Sequence, residues 1–462
     1  MESNLDKPGL KPTTVRWRIL AILVSFSLFC YLLRMNISVA QQFMVPELGL
    51  SDIQLGQIFS SFMVGYALFQ IPGGVWGDRS GPRLVLTVVV LIWGLMTLLT
   101  GLIPGLLVRG ASAAFLSLLV LRFMLGVGEA AMYPVAARVV ANWMPAAEHA
   151  FSNAVVIAGN PLGAAIAPPL IAYLMQAFGW RFSFYLTGLF PLGIACLWWW
   201  QARDYPEQQP AVNPKELAVI EAGRMAKART GPVPCWWSLV KSRNIMFLCL
   251  SYFLTSYVMF IFVFWLYRYF VVARKFTIVG GGWALSLPFV AATLALPLMG
   301  RLSDRLSAHR GSLRGRQMVA IGCLVFCALL LLVGAEASGP FMAVAAISVS
   351  VACLFSTEGP YWSTTIKLAG PHAGAAGGIL NMAGNLGGAV STAAMPFLVH
   401  IFGWLGALSS ASITAILAAG LWLLIRSDCP MGYETMVERE RLGGIEPTET
   451  AGILSCREIQ RS

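Results

Sequence analysis

A chain of 462 residues that is 57% hydrophobic and 11% charged carries less than half the charge of soluble domains, roughly 25%, and is therefore an integral membrane protein. At this length the composition implies many spans and excludes a set of soluble domains. The net charge of +11 is read as Lys and Arg on the loops of one membrane face, not as a nucleic-acid surface.

The N-terminus, through Arg18, lacks the short apolar core and small-residue cleavage site of a signal peptide, so the first apolar run is expected to be retained. Taking about 20 apolar residues per span, the predicted spans are 18–42, 55–77, 84–104, 113–141, 150–178, 183–202, 244–271, 279–301, 316–335, 340–366, 373–401 and 404–426. The expected architecture is all-α: twelve transmembrane helices in two pseudo-symmetric six-helix bundles. Its parts are an N-terminal segment (1–17), the first bundle (18–202), a linker (203–243), the second bundle (244–426) and a tail (427–462). With the N-terminus inside, 25 Lys and Arg residues fall on inner segments and five on outer ones. That asymmetry predicts a multi-pass plasma membrane protein with both termini cytoplasmic, in the inner membrane if the cell is Gram-negative.

In the linker, Asn213-Pro214-Lys215-Glu216 reads as an N-cap, a first-turn proline and a capping-box acid. The helix it opens, from Leu217 to about Arg229, is expected to lie on the inner membrane surface and tether the bundles. The tail shows no apolar periodicity.

The two halves repeat. Gly74-Val-Trp-Gly-Asp78-Arg79 returns as Gly300-Arg-Leu-Ser-Asp304-Arg305, 226 residues on. Ala158-Gly159-Asn160 returns as Ala383-Gly384-Asn385 at 225, and Phe178-Gly179-Trp180 as Phe402-Gly403-Trp404 at 224. Parallel six-helix repeats related by an axis along the membrane normal are a design of alternating-access transporters.

Four ionisable residues lie inside predicted spans: Arg34, Arg122, Glu129 and Glu358. Each such charge costs about 2.5–3.5 kcal/mol at the membrane centre by insertion scales, so such placement implies a function. Seven residues turn a helix through about 700°, which puts Arg122 and Glu129 on nearly one face, roughly 10 Å apart, and leaves each needing another partner. Gly126 and Gly128 leave room beside them for a helix or a ligand. Applying the repeat offset to Glu129 lands about one helical turn from Glu358, which is expected to face the same cavity from the second half; the alternative is a carboxylate capped by the backbone at Gly359-Pro360.

On these residues the chain resembles the major facilitator superfamily. The stretch Gly74-x-x-x-Asp78-Arg79-x-Gly81-Pro82-Arg83 matches its signature loop, whose family role is to gate the cytoplasmic side; Asp304 and Arg305 belong to the corresponding second loop. The resemblance narrows to the anion:cation symporter family, which includes galactonate, glucarate and hexuronate permeases and sialin-type transporters. It rests on Tyr31-Leu-Leu-Arg34-Met-Asn36, Gly65-Tyr66, Pro72-Gly73-Gly74, the stretch from Arg122 to Pro134, Gly179-Trp180-Arg181, Asp204-Tyr-Pro206, Gly359-Pro-Tyr-Trp362 and Asn381-Met-Ala-Gly-Asn385.

The resemblance implies that Arg34 binds the carboxylate of a small organic anion, a task suited to a planar guanidinium that donates two parallel hydrogen bonds. The alternative is an arginine reaching the headgroups. Glu129 is expected to carry a proton, poised between burial, which favours its neutral form, and Arg122 and Arg34, which favour its charged form; the alternative is a fixed Arg–Glu lock. Many bacterial relatives carry Asp before the arginine of span 1. Here Leu33 stands in that place, which leaves Glu358 to compensate. Tyr66, Asn160, Trp362 and Asn385 occupy positions that line the site in similar proteins; as alternatives, the asparagines glue helices together and the aromatic residues fill a crowded face.

The expected function is thus proton-coupled symport of a small organic anion, a sugar acid such as a hexonate or hexuronate, by a monomer. An uncoupled facilitator or exchanger and a non-transporting membrane sensor are the alternatives. No enzyme, metal site, cofactor or nucleic-acid partner is expected. The nine cysteines read as small hydrophobes, His149, His309, His372 and His400 form no ligand set, and no glycine-rich stretch has the context of a nucleotide loop.

Overall fold

A computed structural model describes residues 11–145, 148–221, 242–369 and 373–426. In the first half, α1 (Val15–Leu48), α2 (Asp52–Ser80) and α3 (Pro82–Leu102) follow one another with little loop between them. The next crossing is α4 (Ala111–Ala130) continued by α5 (Met132–Trp143), and α6 (His149–Phe178) and α7 (Trp180–Gln201) complete the set. The linker contributes α8 (Pro214–Glu221). In the second half are α9 (Arg243–Phe264), α10 (Ile278–Arg310), α11 (Ser312–Glu336) and α12 (Pro340–Phe355) continued by α13 (Glu358–Ala369). A last stretch, Ala373–Trp422, turns at Gly403 (φ 67°, ψ −179°) into two arms, α14 (373–402) and α15 (404–422). Eleven stretches among the described residues are long and apolar enough to cross a bilayer. Dividing the last at Gly403 gives the twelve crossings expected.

The internal repeat is written in the backbone as well as in the motifs. Ser51 caps α2 by accepting from Gln54 N, and Thr277 caps α10 by accepting from Gly280 N. Gly81 (φ 82°) ends α2 as Gly311 (φ 88°) ends α10. A left-handed residue costs glycine little and other residues more, so one glycine can replace a whole loop at each place. This corrects the expected gating loops. Asp78 and Arg79 lie in the last turn of α2, and Asp304 and Arg305 lie within α10, because both helices continue past their apolar stretches to the glycine.

The fourth and tenth crossings, expected as unbroken spans, are each interrupted. Pro134 has no N–H and its ring crowds the carbonyl four residues back, Ala130, where α4 ends; Pro360 stands in the same relation to Ser356, just after α12. Residue Ala131 and residue Ser356 are thus repeat mates, and so are the two prolines.

The linker also departs from expectation. Asn213 Oδ1 accepts from Glu216 N at 2.8 Å, as an N-cap should. Glu216, however, is buried and does not complete a capping box. It accepts from Val15 N (3.2 Å) and Arg16 N (3.0 Å) and from the Thr13 hydroxyl, so it caps the start of α1 instead. The free N–H groups of a transmembrane helix start form a stronger pull on a carboxylate than one linker amide. The remainder of the expected linker helix and the tail lie outside the described residues.

Contacts between the halves gather toward the face opposite the termini. The helical ladder of α9 stops at Phe264, and its carbonyl accepts from Ser38 Oγ (3.1 Å) and Gln41 Nε2 (3.2 Å) of α1. Phe59 stacks on Phe264 with centroids 4.9 Å apart and meets Trp265 edge-on at 5.6 Å. Arg268 pairs with Asp52 at the rim, where solvent makes such a bond weak. The halves are therefore closed against each other on that face.

Candidate functional site

Close helix packing builds the site. Gly126 of α4 lies against Phe62 of α2, where an added Cβ would stand 2.1 Å from the Phe62 carbonyl oxygen. Small residues let helix backbones approach this closely. The approach holds the Phe62 and Tyr66 rings beside α1, at Arg34. The Arg34 guanidinium carbon lies 4.7 Å from the Tyr31 ring centroid, 5.0 Å from Phe62, 5.6 Å from Tyr66 and 6.0 Å from Phe260 of the second half. Four π faces around one cation, one from across the interface, offset part of the cost of burying it. Arg34 is 5% exposed, which rules out a side chain reaching the headgroups.

Glu129 completes this centre. Its Oε1 accepts from Arg34 Nη2 in a buried ion pair, and from Cys30 Sγ at 2.6 Å. Arg122 does not pair with Glu129, in keeping with the seven-residue spacing along one helix. Arg122 is 2% exposed, its Nε and Nη2 have no hydrogen-bond partner, and its guanidinium faces the Phe184 ring at 5.8 Å. Of the two buried arginines of the first half, Arg34 is thus paired with Glu129 and Arg122 has an aromatic neighbour.

The second half presents Glu358 at the first turn of α13. Tyr252 Oη donates to its two carboxylate oxygens at 3.3 and 3.1 Å, and Trp362 Nε1 donates to Oε2 at 3.1 Å. Side chains therefore serve Glu358, not the backbone at Gly359-Pro360. Subtracting the repeat offset places Glu358 opposite Tyr133, which follows the break in the first half as Glu358 follows it in the second. Tyr133 donates to Asn160 Oδ1. Asn385, the mate of Asn160, turns its Nδ2 to the Asn381 carbonyl of its own helix at 2.8 Å. Asn160 thus ties α6 to α5, as the helix-gluing alternative has it, whereas Asn385 bonds only within its own helix.

Of the expected residues, Arg34, Tyr66 and Glu129 come together, with Glu358 and Trp362 across from them. Arg122 faces Phe184, Asn160 accepts from Tyr133, and Asn385 bonds to its own helix. Sequence reasoning missed Cys30, Tyr133 and Tyr252. The first two were marked by helical spacing, four residues before Arg34 and four after Glu129. Tyr252, on α9, had no such mark.

The signature region is held by local contacts. Asp78 pairs with Arg138 of α5. Gly81 leaves room for the Asp204 carboxylate, which an added Cβ would meet at 2.7 Å and which accepts from Arg83 N at 2.9 Å. The Arg83 side chain donates to the Trp199 carbonyl (3.2 and 2.6 Å) and lies 4.1 Å over its ring. Gly74 packs beside Pro134, whereas Arg79, Asp304 and Arg305 are exposed.

The sequence matches the family model described as Major Facilitator Superfamily over residues 22–392 and again over 282–446. Among curated proteins it is 33% identical over 401 residues to a probable sulfoacetate transporter of Cupriavidus necator, covering 83% of this chain and 87% of that one. It is 30% identical over 376 residues to a hexuronate transporter of Bacillus subtilis, covering 80% and 84%. Among solved structures, a bacterial homologue of the human lysosomal transporter Spinster, described as inward-facing and unoccupied, superposes with a TM-score of 0.72. That match covers 90% of this chain and 98% of the other at 15% identity, and it speaks for the fold.

Proposed function

The chain belongs to the major facilitator superfamily, and on that premise we propose that it carries a small organic anion across the membrane by alternating access, together with a proton. The substrate class is a sugar acid such as a hexonate or hexuronate. Relatives named as transporters of hexuronate and of D-galactonate support that class. The observation that carries the reading is the buried Arg34–Glu129 pair, set in an aromatic cage at the interface of the halves.

An arriving carboxylate competes with Glu129 for the Arg34 fork. If it wins, Glu129 is left as a buried charge without its partner, a costly state that uptake of one proton removes. Anion and proton then load together, and neither alone is favoured. Arg122, close behind, sets how strongly Glu129 holds its charge. The substrate lies between Arg34, Tyr66 and Asn160 of the first half and Glu358, Trp362 and Asn385 of the second. The halves rock around it, with the contacts at Phe264 opening as those near Asp78, Arg79, Arg83, Asp304 and Arg305 close. The positive-residue asymmetry supports an orientation with the termini in the cytoplasm.

Purified protein in liposomes tests the scheme. Acidifying the outside should drive hexonate or hexuronate uptake and a proton influx that requires substrate. Uptake without proton influx would replace symport by facilitated diffusion or exchange. Binding without uptake would point to a sensor on a transporter scaffold.

A further inference from the structure

The two halves differ in what they offer the far end of a substrate. Among the described residues the buried arginines are Arg34 and Arg122, both in the first half, and no Lys or Arg is buried in the second. What the second half offers instead is Glu358. Its two donors, Tyr252 and Trp362, are neutral, and an ionised carboxylate has about four lone-pair positions, so acceptor capacity is left over. Glu358 is only half-buried, unlike Glu129, and so remains open to a ligand. Phe260 of α9 lies 6.0 Å from the Arg34 guanidinium carbon, and Tyr252, about two turns earlier on the same helix, donates to Glu358. Arg34 and Glu358 thus border one space from opposite sides.

Resting on the reading that the substrate's acid group binds Arg34, we propose that Glu358 determines specificity: it accepts hydrogen bonds from hydroxyl groups at the far end and repels a second carboxylate there. The substrates are then polyhydroxy monocarboxylates, hexonates and hexuronates, and the matching hexarates are refused. A hexonate ends in a hydroxyl that can donate to Glu358. A hexarate ends in a carboxylate that would face Glu358 with no cation to share. Rejection by an unfavourable contact is as effective a source of selectivity as a new attraction, and like charges set against each other cost several kcal/mol.

The test is binding to the purified full-length protein of two pairs that differ only at the terminal carbon, gluconate with glucarate and galactonate with galactarate. The wild type should bind the better hexonate about tenfold or more tightly than its hexarate. Glu358→Gln, which keeps the shape and an acceptor oxygen but removes the charge, should shrink that ratio about tenfold. A hexarate bound as tightly as its hexonate by the wild type, or a ratio unmoved in Glu358→Gln, overturns the inference and leaves the anion-transport reading standing. Binding of none of the four overturns the sugar-acid reading and this inference with it. The wild-type ratio needs no variant, so a poorly folding Glu358→Gln does not remove the test.

Discussion

The first half and the second half are built on one plan and carry opposite solutions to the same problem. Both have a crossing broken by proline, at Pro134 and Pro360, and both put a carboxylate beside the break. In the first half that carboxylate, Glu129, precedes the break and meets a cation, Arg34, and a thiol. In the second, Glu358 follows the break and meets two neutral donors. A half that pairs its charge can exchange partners with an anion. A half that leaves its carboxylate unpaired can read neutral hydroxyl groups. The duplication supplied the frame, and the division of labour came from where each acid was placed.

Removing Arg34 should break the comparison most severely. Arg34→Ala leaves Glu129 buried without a cation, a change worth about 3–5 kcal/mol of stability in buried pairs. The variant should lose anion binding and unfold at a much lower temperature. Adding Glu129→Gln to it should recover most of the thermal stability and none of the binding. Failure to recover would mean that the cage of Tyr31, Phe62, Tyr66 and Phe260, not the ion pair, is what Arg34 stabilises.

Next in size is Glu129→Gln alone. It makes the first half resemble the second, with a neutral acceptor in place of the exchanging acid. Anion exchange between the two sides should persist, while acceleration of uptake by an acidic exterior should disappear. In the wild type, substrate binding should weaken as pH rises, since the proton that stabilises the displaced Glu129 becomes scarce; in the variant that slope should be flat. A slope that survives would move the proton site to Glu358.

How far all this was legible in the sequence follows from which signals carry an energetic mark. Span lengths, the repeat and the charges could be read, because apolar runs, constant offsets and intramembrane Arg or Glu are conspicuous. The helical spacing showed that Arg122 is too far from Glu129 to pair, whereas Arg34 as a neighbour of Glu129 came from the resemblance. The breaks were missed although Pro134 and Pro360 stand 226 residues apart, because averaging hydropathy over a span does not register one missing N–H. Asp304 and Arg305 were placed in a loop because polarity was taken as the end of a helix, whereas α10 ends only at Gly311. Cys30 and Tyr252 were hidden for a different reason. A neutral side chain in an apolar run costs nothing to bury as long as it finds an acceptor, so its identity carries no mark, and only the spacing from Arg34 pointed to Cys30.

Those two hidden donors give the finest test of the comparison. Cys30 and Tyr252 each give a hydrogen bond to the carboxylate of their half, and each can be removed by one small change, Cys30→Ala and Tyr252→Phe. A single hydrogen bond of this kind contributes about 0.5–1.5 kcal/mol, more when the acceptor is charged. The two losses should not be equal. Glu129 keeps Arg34 when the thiol is gone, so Cys30→Ala should shift anion affinity only a few-fold. Glu358 keeps only Trp362 when the phenol is gone, so Tyr252→Phe should cost more in both thermal stability and hexonate affinity. Equal losses, measured by thermal unfolding and binding isotherms on the same preparations, would mean that the second carboxylate is as well compensated as the first. The halves would then differ in sequence without differing in what they do.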